Sequence, residues 1–166
     1  MLPVIGIDPG ITGAIAVRGD DPDEVDVFDM PTLTEGKHQR INAVELANLI
    51  RSLRLEHNIA EARIEKVNAM PPAKGKAGGK PRNPGTQSSF NFGRGVGVID
   101  GIMGAFQLPT IHVTPQQWKK PAGLIGKVKD EARTRALELY PHLELHRKKD
   151  VGRADAILIA HYGGPG

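Results

Sequence analysis

The chain has 166 residues, a formal net charge of +3 and no cysteine, which bounds it to about one domain's worth of core. Without cysteine there is no disulfide framework and no thiolate zinc site. No apolar run approaches the roughly 18 residues of a membrane span, and no basic stretch followed by an apolar core opens the chain, so a soluble, cytoplasmic protein without membrane partners is expected.

The charge is unevenly placed. Residues 66–94 hold Lys66, Lys74, Lys76, Lys80, Arg82 and Arg94 and no acid, leaving 16 basic against 19 acidic residues elsewhere. One cationic segment on a slightly acidic body suits a local contact with a polyanion, and a solvated loop is its plain alternative.

In chain order, Val4-Ile5-Gly6-Ile7 is an apolar β-favouring run stopped by Asp8-Pro9-Gly10, and Ala14-Ile15-Ala16-Val17 resumes it. This predicts a buried strand and a tight hairpin. Residues 25–30 alternate apolar and polar as a third strand with one wet face, which makes an antiparallel three-strand meander. Over 42–57, Val44, Leu46, Ala47, Leu49, Ile50 and Leu53 recur at helical spacing, with Asn42 and Glu45 placed to cap the helix start.

Residues 62–67 predict a fourth strand containing Glu65. The Gly-, Pro- and Lys-rich stretch at about 68–86 has little to bury and reads as a flexible basic loop. Residues 87–106 return to helical spacing, with glycines at 93, 95, 97, 101 and 104 that permit close approach at a cost in helix propensity. A short fifth strand at 111–113 and helices at 128–140 and about 152–162 complete the order. No repeat or linker divides the chain, so residues 1–166 read as one α/β domain, a five-stranded mixed sheet with helices on both faces.

Three acids stand where burial makes them costly. Asp8 ends an apolar strand, Glu65 lies within another, and Asp155 sits among small residues early in the last helix. A carboxylate so placed needs a compensating cation. Each also has an ordinary explanation, namely a turn, a wet strand face and a helix start favoured by the macrodipole. Their combination carries more than any one of them.

The run Ile5-Gly6-Ile7-Asp8-Pro9-Gly10-Ile11-Thr12-Gly13 resembles the opening motif of RuvC-type Holliday junction resolvases, of the RNase H-like superfamily. Asp150-Val151-Gly152-Arg153-Ala154-Asp155-Ala156-Ile157-Leu158 resembles their closing motif, especially in the phage-like branch. Ile64-Glu65-Lys66-Val67 falls at the second acidic position, and Thr114-Pro115-Gln116-Gln117-Trp118-Lys119 matches the stretch before the basic helix. The resemblance covers nearly the whole chain and implies an RNase H-like fold.

It also implies a Holliday junction resolvase, an endonuclease working as a homodimer on branched DNA, with Asp8, Glu65 and Asp155 as ligands of divalent metal. The family's fourth acid lies three residues before the last, where this chain has Gly152; Asp150 is the nearest substitute and His146 a further neighbour. Two Mg²⁺ ions about 3.5–4 Å apart, or Mn²⁺ in their place, would position a water and stabilise the leaving oxygen. Lys119, with Lys127 and Lys129 as further candidates, would offset charge at the scissile phosphate.

DNA contact is expected from Lys74, Lys76, Lys80, Arg82 and Arg94 and from Lys127 and Lys129. Phe90 and Phe92 follow the basic stretch and are candidates to stack on an unpaired base, with at least one of them expected in the core. A flap or fork nuclease, an actin-like phosphotransferase and a non-catalytic junction-binding module are the rival readings. The second needs two lobes around a nucleotide, and none is expected here.

Overall fold

The computed structural model describes residues 2–21, 23–67 and 86–164. Strands β1 (Val4–Asp8), β2 (Ala14–Arg18) and β3 (Val25–Asp29) form the antiparallel meander anticipated from their alternation. A hairpin of β4 (Thr32–Glu35) and β5 (His38–Ile41) then forms its own two-stranded sheet, and β6 (Glu61–Glu65) and β7 (Thr110–Val113) return to the main one. The main sheet runs β3-β2-β1-β6-β7, with β6 parallel to both β1 and β7.

The five-stranded mixed sheet is therefore as expected, and the β4–β5 hairpin is an addition. Its residues are mostly exposed, with Ile41 alone buried, so no apolar alternation announced it. Gly36, at φ 62°, makes its turn.

Period-two alternation sorts each strand onto two unlike faces. Ile5, Ile7, Ile15, Val17, Ala62 and Ile64 pack with Leu46, Ile50 and Leu53 of α1 (Ala43–His57) and Ile99 and Met103 of α2 (Thr86–Ala105). Helix α1 starts as its sequence implied, the Asn42 side chain accepting a hydrogen bond from the Glu45 backbone N–H at 3.3 Å.

The other face presents Gly6, Ala14 and Ala16 to α5 (Val151–Tyr162). A Cβ built on Gly6 would lie 2.2 Å from the Ala156 carbonyl and 2.8 Å from the Ala160 methyl. Helix and strand can meet at this distance only because neither carries bulk there. Helices α3 (Pro115–Lys119) and α4 (Glu131–Leu139) complete this layer around the fully buried Trp118.

Two elements differ from the expectation. The helix expected over 128–140 begins at Glu131, so Lys127 and Lys129 precede it on exposed turns. Helix α3 is new, stopped after five residues but well started: the Thr114 side chain accepts from the Gln117 backbone while Gln117 Oε1 accepts from the Thr114 N–H at 2.7 Å. The basic stretch expected to be flexible lies outside the described residues, and Lys74, Lys76, Lys80 and Arg82 with it.

Of the α2 glycines, only Gly95 meets another element, where a Cβ would lie 3.2 Å from Ile41 Cδ1. The others face open space. Their smallness serves no close approach within the described part of this chain.

Candidate active site

Asp8 and Glu65 are the last residues of neighbouring parallel strands, and the register pairing Ile7 with Ile64 sets them one step further along, side by side on the α5 face. Parallel strands ending together under a helix are a recurrent place for ligand-binding groups. Past Asp8 the chain reverses through a turn closed by Gly13 N–H to Gly10 carbonyl at 2.9 Å. Gly13 has no room for a side chain, since a Cβ would lie 2.1 Å from the Asp8 carbonyl.

The third acid arrives from the other end of the chain. Because α5 lies flat on Gly6, its first turns reach the Asp8 turn, and Asp155 comes close enough for the two charges to interact. Burial, then the charge of Glu65, raises the Asp8 pKa to about 6, against the hydrogen bond from the Gly10 backbone and the charges of Lys129 and Lys119. For Asp155 burial and the Asp8 charge dominate, and the pKa rises to about 7 despite Lys119 and Lys129. Half-buried carboxylates that hold protons near neutrality are short of positive charge.

A cation would meet that shortage, and an all-oxygen donor set suits a hard divalent ion. Among the described residues no three His, Asp or Glu side chains stand close enough to count as a finished ligand cluster. The charge coupling describes one site: Glu65 acts on both Asp8 and Asp155, and Asp8 on Asp155.

Glu65 is oriented from below by Trp118, whose Nε1 donates to Oε2 at 2.8 Å from a fully buried ring. The sequence reading used Trp118 only as part of a matching motif; an indole whose sole polar atom must find an acceptor on burial is the signal for this role. Next to it, Lys119 places its Nζ 4.9 Å from the indole centroid and within Coulombic range of both aspartates. Lys129 acts on both as well.

Asp150 stands in a different arrangement. It is buried, and both carboxylate oxygens are taken by Arg147, through the backbone N–H at 2.7 Å, Nε at 2.9 Å and Nη2 at 2.6 Å. Burial would raise its pKa, but the Arg147 hydrogen bonds and the nearby Arg153 charge outweigh it and hold it below the ordinary carboxylate value. Arg153 in turn binds Asp29 at 2.6 Å, tying the end of β3 to α5. Asp150 is thus a strut of this network, with both of its oxygens committed to Arg147.

Gly152 is the position beside the site. A Cβ there would lie 2.4 Å from the Thr12 carbonyl and 3.2 Å from Asp8 Oδ2. The helix start is so closely seated on the Asp8 turn that no acid fits where the resemblance puts a fourth one. His146 is exposed.

Phe90 and Arg94 lie exposed on α2, and Phe92 is 40% exposed. Neither phenylalanine enters a core cluster among the described residues, which corrects the expectation that one would. The helix turns both outward, and the core on this side is filled by Ile99 and Met103.

No family model matches the chain, and no curated protein matches it in sequence. Solved structures do. A Thermus thermophilus RuvC in complex with Holliday junction substrate superposes with a TM-score of 0.63 at 17% identity, over 96% of this chain and 90% of that one. A second Thermus thermophilus RuvC structure gives 0.54 at 15% identity, over the same shares. At such identity the likeness establishes architecture, and the chain has the RNase H-like fold of RuvC, with Asp8, Glu65 and Asp155 converging at one end of its sheet.

Proposed function

We propose that this chain is a divalent-metal-dependent endonuclease of the RuvC type, which resolves four-way DNA junctions by paired nicks as a homodimer. The observation that carries the reading is the convergence of Asp8, Glu65 and Asp155 from β1, β6 and α5 into one patch short of positive charge. The RuvC structure it resembles was solved with a Holliday junction substrate, which favours that DNA over other branched forms.

Asp8, Glu65 and Asp155 would hold the metal. Bound there, Mg²⁺ or Mn²⁺ supplies Lewis acidity and lowers the pKa of a coordinated water. The chain's own residues do the rest. Trp118 holds one oxygen of Glu65, and the other remains for a metal. Lys119 and Lys129 partly neutralise the aspartates and present positive charge to a phosphodiester. With Gly152 excluding a fourth carboxylate, the site's negative charge is limited to three groups. Two such sites on a symmetric dimer would address opposed strands of a junction.

The test is cleavage of labelled four-way junction, flap and linear duplex DNA in Mg²⁺, in Mn²⁺ and in chelator, alongside Asp8→Asn. Paired, metal-dependent nicks confined to the junction and lost in the variant are expected. Cuts spread over flaps and forks would instead assign a broader structure-selective nuclease, and binding without cutting a non-catalytic junction module.

A further inference from the structure

The close contact between α5 and the sheet fixes how near the helix lies but does little to fix how it is turned. Gly6, Ala14 and Ala16 meet Ala156 and Ala160 there, and hydrogens and methyl groups offer little to interdigitate. The start of the helix is also without a side-chain cap, because Asp150, which stands at the cap position, gives its carboxylate to Arg147. What holds this end is charge. Arg147 Nη2 lies 2.6 Å from Asp150 Oδ1, and Arg153 Nε lies 3.8 Å from the same oxygen and 2.6 Å from Asp29 Oδ1. Arg147 Nη2 comes back to Asp29 Oδ2 at 4.0 Å, so two acids and two guanidiniums close a ring that joins β3 to the first turn of α5.

The place of Asp29 in that ring ties it to the candidate active site. The register pairs Asp8 with Ala14 and Ala14 with Asp29, which puts Asp29 on the same row across the sheet as Asp8, two strands away. Two strand spacings are about 10 Å. At that separation, and with Oδ1 bound to Arg153, Asp29 is not a further ligand for a metal held by Asp8, Glu65 and Asp155. The Arg153 hydrogen bond, together with the charges of Arg153, Lys149 and Arg147, outweighs burial and holds its carboxyl below the ordinary value, so the ion pair is fully charged near neutral pH.

Arg153 and Asp155 are two residues apart, about 200° around the helix. Arg153 therefore reaches β3 on one flank of α5, while Asp155 comes under the charges of Asp8 and Glu65 on the other. A roll of about 20° would carry a carboxylate at a radius of about 5 Å through about 2 Å, which is as much as a whole Mg–O distance of about 2 Å. We propose that Asp29 is a positioning residue: through its ion pair with Arg153 it sets the roll of α5, and with it the placement of Asp155 for a divalent cation. This rests on the metal-dependent nuclease reading and adds a residue of β3 to it.

Binding of Mn²⁺ by the full chain without DNA, followed through the electron paramagnetic resonance signal of the free ion, separates position from charge. Asp29→Asn removes a negative charge and Arg153→Gln a positive one, so a field acting through space alone would weaken binding in the first and tighten it in the second. Positioning predicts about tenfold weaker binding in both, with no further loss in the double variant. If Asp29→Asn does not fold, as judged by circular dichroism, Arg153→Gln decides. Binding that is tightened or unchanged in Arg153→Gln, or unchanged in Asp29→Asn, overturns the proposal, and a lower Tm with unchanged Mn²⁺ affinity assigns the pair to stability alone. If the wild type takes up Mn²⁺ that Asp8→Asn does not, and neither variant weakens it, positioning fails and the metal site stands. A wild type that takes up no more Mn²⁺ than Asp8→Asn overturns the positioning and the metal site together.

Discussion

The two faces of the central sheet are built from the same strands by opposite means. On the α1–α2 face, Ile5, Ile7, Ile15 and Ile64 stand between sheet and helices, and the layer is thick, apolar and without chemistry. On the α5 face, Gly6, Ala14 and Ala16 meet Ala156 and Ala160, and the helix is drawn close to the backbone of β1. Bulk keeps one helix layer away from the strand ends; its absence brings the other onto them. Asp8 and Glu65 point to the second face by alternation, and only there does a helix arrive close enough to add Asp155.

Emptying the close face of its carboxylates gives the largest effect. Asp155→Asn is expected to lower junction cleavage by about 10³-fold or more, with binding retained, because it removes one of three groups that would hold the metal. Single-turnover cleavage and a gel shift measure both sides; loss of binding together with the circular dichroism signal would assign Asp155 a purely structural role.

Adding bulk to the close face tests the contrast itself. Gly6→Val must push α5 away from β1 and is expected to cost about 3 kcal/mol or more in urea unfolding, with cleavage lost as Asp8 and Asp155 separate. Ile7→Val, one position along on the thick face, removes a methylene from a layer that can partly close and is expected to cost about 1 kcal/mol with cleavage kept. Equal costs at the two positions would remove the distinction between the faces.

The electrostatics of the close face have a sign of their own. Asp8 and Asp155 have folded pKa values of about 6 and 7, above the ordinary 3.8, so the fold favours their protonated forms. Stability from this source is present below about pH 4 and is lost as pH rises through 6 and 7. Asp155→Asn, which mimics the neutral carboxyl, is therefore expected to raise the Tm of the metal-free protein at pH 8 by on the order of 5 °C and to leave it little changed at pH 4. Mg²⁺ is expected to stabilise the wild type at pH 8 and lose that effect towards pH 5, as protons compete for the same oxygens. Calorimetry at the two pH values, with and without metal, separates these outcomes; equal shifts at both would mean that the site is not short of positive charge.

The smallest expected effect is at the support of Glu65. Trp118→Phe keeps most of the buried ring but deletes the N–H that holds Oε2, so about tenfold slower cleavage is expected for about 1 kcal/mol of stability. A rate unchanged at saturating metal would show that Glu65 needs no such orientation.

Much of this was legible in the sequence. The isoleucines of the first strand alternate with Gly6 and Asp8, which fixes both the strand and the face on which the acid must lie. Asn42 and Glu45 announce the start of α1, and the three acids are visible as charges in apolar or small-residue surroundings. The β4–β5 hairpin was not visible, because exposed strands carry no apolar alternation, and at least one of Phe90 and Phe92 was expected in the core because a sequence shows hydrophobicity but not the direction in which a helix turns it. Asp150 was a candidate by proximity in the chain alone, while the guanidinium of Arg147 claims both of its oxygens.

By itself the sequence determined the period of each strand and helix, and hence the two-sided sheet, since side-chain alternation and helical spacing are local properties of the chain. Which acids meet was decided by tertiary structure, because charge coupling between Asp8 and Asp155 depends on how closely α5 can approach β1. That distance is set by the volumes of residues 150 positions apart, Gly6 and Ala156, and by the room for which Gly152 and Thr12 compete.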